Sequence, residues 1–363
     1  MKLFFPFLLL SFISNSQDSL SVSKDSISKL NFEVYIDAYY GYNSTQATNH
    51  QIPYFVSMNN DNEFSINLAY ISASYQDNKI RAKLTPAFGS YMESNYSSEK
   101  NTFKFIQEAS VGFKPFKRKN NWIDLGVLAS PYTNETAISS DHIAYSRSLS
   151  AEYVPYYLCG AKMTLPLSSK LNAYVYLVNG WQQISDVNQR KSLGTQLEYK
   201  PNSKHLFNWN TYIGNEKSIQ NPVYRNRLFS DIYWTYNLDG KLSFSSCFYV
   251  GFQEIQNSKL VDKSWWQGNF LARYSFTEKA SISARIEYFS DPNSIQIQSL
   301  NTVTTGFETF GASLGFNYKI NKFALLRFES RYFNSSKKVF LEKEKFVNYN
   351  YWFLTSLVFR FNN

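Results

Sequence analysis

Hydrophobic and polar residues alternate along most of this chain. In 281–291, SISARIEYFSD, Ile282, Ala284, Ile286 and Tyr288 fall on one side of an extended backbone, and Ser283, Arg285 and Glu287 on the other. A period of two is the signature of a β-strand with two unlike faces. The same pattern recurs at 32–40, where Phe32, Val34, Ile36, Ala38 and Tyr40 oppose Glu33, Tyr35, Asp37 and Tyr39. It returns at 64–70, at 242–250, at 310–318 and at 326–332, where Leu326, Phe328 and Tyr332 oppose Arg327, Glu329 and Arg331.

The alternating segments come in pairs joined by short turns at 77–78, 115–121, 166–170, 200–204, 237–241, 277–278 and 319–321. Pro, Asn, Asp, Gly and Ser dominate most of these, as tight turns require. Longer stretches rich in Asn, Ser, Gln and Thr separate the pairs, at 43–61, 91–103, 132–150, 182–191, 214–225, 253–263, 291–303 and 334–346. Seven short turns and eight long loops imply about sixteen strands, an even count that returns both ends to one side of a closed sheet.

Periodicity alone does not say whether the apolar face meets a core or lipid. A charge at a bilayer midplane costs about 2–4 kcal/mol, so Arg285, Glu287, Arg327, Glu329 and Arg331 must face water or one another. Repeated over about sixteen strands, a charged face and an aliphatic or aromatic face fit a barrel with its apolar side outward. A barrel this wide has an interior too large to fill with strand side chains alone. The predicted fold is therefore all-β: a closed antiparallel transmembrane β-barrel of about sixteen strands, with short periplasmic turns and long extracellular loops. A soluble double sheet would bury the apolar faces instead.

Composition favours the barrel. Aromatic residues make up 18% of the chain, with 28 Tyr and 31 Phe, a high load for a soluble domain, while 44% of residues are hydrophobic. After the N-terminus no apolar run reaches the length of a membrane-spanning helix. The start, MKLFFPFLLLSFISNSQ, reads as a signal peptide over 1–17, followed by a polar periplasmic lead-in at 18–30 and the barrel at 31–363. The final strand puts Phe353, Leu357, Phe359 and Phe361 on one face, the aromatic-ended form that outer-membrane barrels offer to the barrel-assembly machinery.

The formal charge of +9 resides largely in turn lysines and arginines, such as Lys170, Lys204, Lys241, Lys279 and Lys322. Scattered turn cations do not form a groove, and nucleic acid is set aside. Cys159 is expected to point outward and Cys247 inward, so no disulfide is expected between them. No HExxH, CxxC, P-loop or Gly-rich dinucleotide motif occurs, so no cofactor or metal is expected. Ser140, Asp141, His142 and Ser146 have the residue types of a hydrolase triad, but closeness in sequence is not the geometry that a triad needs.

Tyr and Trp at strand ends fit interfacial girdles: Tyr40, Trp122, Trp181, Trp234, Trp266 and Tyr351, with Tyr42 and Trp265 beside them. On the lumen face parity places Arg81, Lys83, Lys114, Lys162, Lys200, Arg273, Arg285, Arg327 and Arg331. Glu33, Asp37, Glu108, Asp124, Glu198, Asp231, Glu287 and Glu329 share that face. Nearly cancelling charges suit a polar pore, or pairs that satisfy each other across strands. The third long loop, PYTNETAISSDHIAYSRSLSAEYVPYY at 131–157, carries Glu135, Asp141, Arg147 and Glu152. It either folds into the lumen and narrows it or stays a solvated surface loop.

Several stretches resemble the OmpL-like β-barrel porin family. They are FEVYIDAYYGYN (32–43), PYFVSMNNDNEFSINLAYISASY (53–75), EASVGFK (108–114), WIDLGVLASPYTNETAISSDHIAYSRSLSAEYVPYYLCGAKM (122–163) and YLVNGWQ (176–182). AISSDHIAYSRSLSAEYVPYY is the most specific part. The resemblance implies an outer-membrane porin barrel and a structural or pore-narrowing role for residues 132–152, but no particular solute. Where relatives are expected to carry Asn or another polar residue this chain has His142, which receives no function.

The reading that results is passive diffusion of small hydrophilic solutes or ions through the outer membrane of a Gram-negative bacterium. Pore-lining or constricting residues would be Glu135, Asp141, Arg147, Glu152, Arg81, Lys83, Arg285, Glu287, Arg327, Glu329 and Arg331. Its partners would be outer-membrane lipid, the barrel-assembly machinery and, in a homo-oligomer, further copies of the chain. The alternatives are a closed structural or adhesive barrel with binding loops, and a barrel hydrolase.

Overall fold

The computed structural model describes residues 30–45, 50–116 and 120–363. The signal peptide expected at 1–17, and all but the last residue of the 18–30 lead-in, lie outside the described residues. The strands are β1 (Leu30–Asn43), β2 (Glu63–Gln76), β3 (Ile80–Phe88), β4 (Ile106–Phe113), β5 (Trp122–Ala129), β6 (Tyr157–Pro166), β7 (Leu171–Val178) and β8 (Ser192–Asn202). Next come β9 (His205–Asn215), β10 (Tyr224–Leu238), β11 (Leu242–Ile255), β12 (Ser264–Ser275), β13 (Ala280–Asp291), β14 (Phe307–Lys319) and β15 (Ala324–Ser335). Two short strands, β16 (Phe340–Glu342) and β17 (Lys345–Val347), form a hairpin in the last long loop before β18 (Tyr349–Asn362).

Every barrel strand pairs antiparallel with its neighbours, and β1 closes the sheet onto β18 from Glu33 opposite Asn362 to Asn43 opposite Trp352. Sixteen strands form the closed barrel, with β16 and β17 outside it. Closure removes the sheet edges whose unpaired N–H and C=O groups lipid could not satisfy. Strand 281–291 shows which face is which. Ile282 and Ile286 are 51% and 55% exposed, whereas Arg285 and Glu287 are 2% and 3% exposed. The aliphatic side meets the membrane and the charged side meets the barrel interior.

The interior is filled most densely on the long-loop side. Residues 50–62 turn inward, so that Phe55 lies against Trp352 at 4.7 Å and Phe333 at 5.5 Å between ring centroids. Tyr54 packs on Phe307 at 4.8 Å and donates its hydroxyl to the Val339 carbonyl at 2.6 Å. After β3 the chain folds into a short helix, α1 (Ser90–Asn95), whose Tyr91 and Met92 are buried. Gly89 makes that corner at φ 125°, where a Cβ would lie 2.5 Å from the Asn67 carbonyl oxygen. Only glycine adopts that backbone without strain.

Candidate functional site

The connection between β5 and β6 crosses the lumen. Residues 130–156 leave the wall at Ala129 and return at Tyr157, with a one-turn helix, α2 (Leu149–Glu152), on the way. The loop is fixed to wall strands β1, β10, β12, β13 and β15. On β1, Asp37 accepts hydrogen bonds from Ser139 Oγ at 2.9 Å and the Tyr145 hydroxyl at 3.0 Å. On β10, Asp231 accepts one from the Thr133 N–H at 3.0 Å. On β12, Asn269 Nδ2 donates to Ser150 Oγ at 2.9 Å.

The far wall, β13 to β15, supplies the charged anchors. Arg285 donates to the Ser146 carbonyl at 2.8 Å and to Glu329 at 2.6 Å, and Arg331 donates to Glu287 at 2.6 Å. The freed carboxylate oxygens face loop amides: Glu329 accepts the Ser146 N–H and Glu287 the Leu149 N–H, both at 2.6 Å. Arg327 reaches the carbonyls of Ser139 at 2.5 Å and Ile143 at 3.1 Å. Within the loop, Arg147 Nε pairs with Glu152 at 3.1 Å. Glu152 also accepts the Val56 N–H at 2.7 Å, which ties the third loop to the first. All these charges are buried, and each makes at least one hydrogen bond to the loop or to a charged neighbour.

Burial dominates the loop's own titratable groups. It pushes the Glu135 carboxyl up from its usual range, opposed by the Arg285 charge. It drives His142 well below the usual imidazole value, aided by the Arg147 and Arg327 charges. Neutral His142 accepts the Thr136 N–H on Nε2 at 3.0 Å, and its Nδ1 has no hydrogen-bond partner.

Between the loop and the wall from β1 through β10 lies a cavity of about 710 Å³ that reaches Arg360 and Asn363 at the short-turn side. Glu135, Asp141 and Lys83 line it, together with Lys162, Glu108 and a group of tyrosines. A lower compartment of about 440 Å³ shares Lys83, Glu108 and Lys162 and adds Arg81 and Asp124. Lys83 pairs with Glu108 at 2.8 Å, Lys162 lies 3.6 Å from Asp124, and Arg81 forks onto Asp124. At the mouth Asp141 accepts from Arg360 at 2.5 Å. Both signs thus face the open volume in close pairs.

These placements correct part of the sequence expectation. Arg285, Glu287, Arg327, Glu329 and Arg331 do point inward, but they lie behind the loop and are at most 3% exposed. Arg147 and Glu152 are buried within the loop's own packing. Strand parity locates a face; it does not reveal that a distant segment will cover that face. Trp122 and Trp181, expected in a membrane girdle, are inside. Trp122 is 3% exposed under the Arg81 guanidinium at 4.5 Å, and Trp181 packs among Tyr132, Tyr212 and Phe229. Trp265, also expected there, is fully buried inward beside Arg227. A girdle residue and a lumen residue differ by one position, so reading the strand ends one residue out reverses the face. Tyr40, Trp234, Trp266 and Tyr351 lie on the outer face, Trp234 in a belt with His205, Phe207 and Tyr236.

Two participants were not singled out beforehand, and a third, Ser146, was weighed only as a triad residue type. Ser57 and Val56 of the first loop hold Glu152, and no local pattern marks them. Ser146 bridges Arg285, Arg331 and Glu329. The tyrosines of the cavity did leave a signal, since Tyr174 and Tyr176 alternate with Ala173, Val175 and Leu177 on the polar side of β7. Among the described residues no cluster of His, Cys, Asp and Glu is placed to hold a metal ion. Both cysteines are free.

Solved structures of similar shape are outer-membrane proteins, among them a porin and a channel. The channel DcaP of Acinetobacter baumannii superposes with a TM-score of 0.61 at 10% identity, over 92% of this chain and 97% of that one. An anion-selective porin from Comamonas acidovorans gives 0.60 at 8% identity, over 92% and 99%. OmpT of Vibrio cholerae in a trimer form gives 0.55 at 11%, over 92% and 99%. At such identities the likeness is one of fold. No curated protein matches the chain in sequence. The model of the family described as "Putative beta-barrel porin-2, OmpL-like" matches residues 29–361, nearly the whole length, so the chain belongs to the OmpL-like β-barrel porins of the Gram-negative outer membrane.

Proposed function

We propose that solutes cross this barrel beside the clamped loop, not along the barrel axis. The observation that carries this reading is the cavity of about 710 Å³, of mixed polarity and mixed charge, left between residues 130–156 and the β1–β10 wall. The mechanism is passive diffusion of small hydrophilic solutes or ions. The loop sets the size limit, and the Lys83–Glu108 and Lys162–Asp124 pairs set a weak charge preference, because opposite charges a few ångströms apart largely cancel at a distance. No reacting group is needed, and the reading is non-enzymatic. Export by residues 1–17, insertion by the barrel-assembly machinery and assembly into a homo-oligomer in outer-membrane lipid belong to the same proposal.

The packed aromatic side chains on the long-loop side favour one competitor, a barrel closed at rest that presents its loops as a binding surface. Single-channel recording of the refolded, signal-free chain in planar bilayers decides between them. Steady stepwise conductance supports the pore. A barrel that inserts and conducts nothing overturns it in favour of the closed form.

A further inference from the structure

We infer that the lumen cavity is a binding track for neutral oligosaccharides, an inference that rests on the diffusion-pore reading and names its solute class. Eight of the side chains around the cavity are tyrosines. Tyr70 comes from β2, Tyr174 and Tyr176 from β7, Tyr233 from β10, and Tyr132 and Tyr156 from the crossing loop. Tyr156, Tyr174 and Tyr233 are half-buried, whereas Tyr70, Tyr132 and Tyr176 are at most 4% exposed and form the wall behind them. A pyranose gains from such rings, because its C–H face stacks on an aromatic ring while its hydroxyl edge needs groups that both donate and accept.

Such groups stand beside the rings. The Tyr176 hydroxyl donates to Gln196 at 2.9 Å, and Gln196 in turn donates to Asn208 at 2.8 Å. Lys83 and Glu108 present a donor and an acceptor 2.8 Å apart. Gln107, also in the lining, has an amide oxygen with no hydrogen-bond partner. Charge argues for a neutral guest: the lining holds three cationic side chains, Lys83, Lys162 and Arg360, against four acidic ones, Glu33, Glu108, Glu135 and Asp141. The volume of about 710 Å³ lies within the roughly 300–1,000 Å³ range of small-molecule sites.

The test is ion current through the refolded barrel in planar bilayers, with maltotriose added and with a polyethylene glycol of matching hydrodynamic size as control. The expected result is saturable, transient blockade by the trisaccharide at concentrations about tenfold below those at which the polymer acts. Tyr174→Ala and Tyr233→Ala should each weaken blockade about fivefold, and Ile219→Ala on an exposed outer loop should leave it unchanged. Equal, non-saturating effects of sugar and polymer overturn the inference. Should the barrel conduct nothing, the pore reading fails by itself. Calorimetric titration of the detergent-solubilised barrel with maltotriose then still decides: saturable binding that Tyr233→Ala weakens upholds the sugar site, and no heat of binding overturns it.

Discussion

Arg285 and Glu329 meet across a strand to which neither belongs. Arg285 sits on β13 and Glu329 on β15, with β14 between them, and yet the guanidinium and carboxylate are 2.6 Å apart. The bridge is possible because β14 turns Gly311, Ser313 and Gly315 inward at this height. Small residues leave a trough over which the long side chains reach each other and the loop.

Breaking that pair should release the loop. Glu329→Gln leaves Arg285 buried with a weakened partner, and losing one member of a buried pair costs about 3–5 kcal/mol. The barrel, held by its closed backbone ladder, should still fold. The expected outcome is higher and noisier single-channel conductance, with new trypsin cleavage after Arg147 in folded protein. Unchanged conductance together with full protease resistance would count against the anchoring role.

The trough itself can be tested. A Cβ on Gly311 would lie 2.8 Å from Glu287 Cγ, whereas one on the outward Gly268 finds its nearest neighbour, Phe248, 3.9 Å away. Gly311→Val should displace Glu287 and expose Arg147 to trypsin, and Gly268→Val should not. Equal protease sensitivity in the two variants would show that Gly311 is not required for its small size.

Reversal of cavity charge should reveal selectivity. Lys83→Glu with Lys162→Glu turns a lining of three cationic and four acidic side chains into one cationic against six acidic. Reversal potential under a salt gradient should move from weak selectivity to clear cation preference, an effect that screening reduces at high salt. A reversal potential that stays in place would mean that ions travel by another route.

The loop should loosen in mild acid. Buried His142 is neutral when docked, its pKa held well below 6.5, whereas an undocked loop would protonate it near that value. The undocked state therefore binds more protons, and docking weakens as pH falls below about 6.5. Glu135 acts in the opposite sense: burial raises its pKa above 4.5, so docking regains stability as that carboxyl protonates. Open-channel noise should rise between pH 7 and 5.5, and His142→Gln should flatten that rise. Identical profiles for wild type and variant would exclude His142 as the source.

Tryptophan sidedness gives an independent check. Trp209, Trp234 and Trp266 lie on the outer face, while Trp122, Trp181, Trp265 and Trp352 lie inside. Brominated acyl chains should quench single-tryptophan variants that retain Trp209 or Trp266, and leave those retaining Trp265 or Trp352 bright. Quenching of Trp265 would reverse the assigned faces of β12.

The sequence by itself determined the barrel. Strand period, the short and long connections and the intolerance of lipid for charge gave sixteen strands and the correct side for Arg285, Glu287, Arg327, Glu329 and Arg331. Each of those features is local, written within a dozen residues of chain. It did not determine what those charges meet. Arg285 and Ser146 are 139 positions apart, and nothing near either one encodes the contact. Trp122 and Trp181 show the same limit on a smaller scale, since a one-residue choice of register at a strand end decides between lipid and lumen. Only the closed barrel brings β1, β10 and β13–β15 around one segment. That enclosure makes residues 130–156 a clamped partition of the lumen and leaves the tyrosine-lined space beside them.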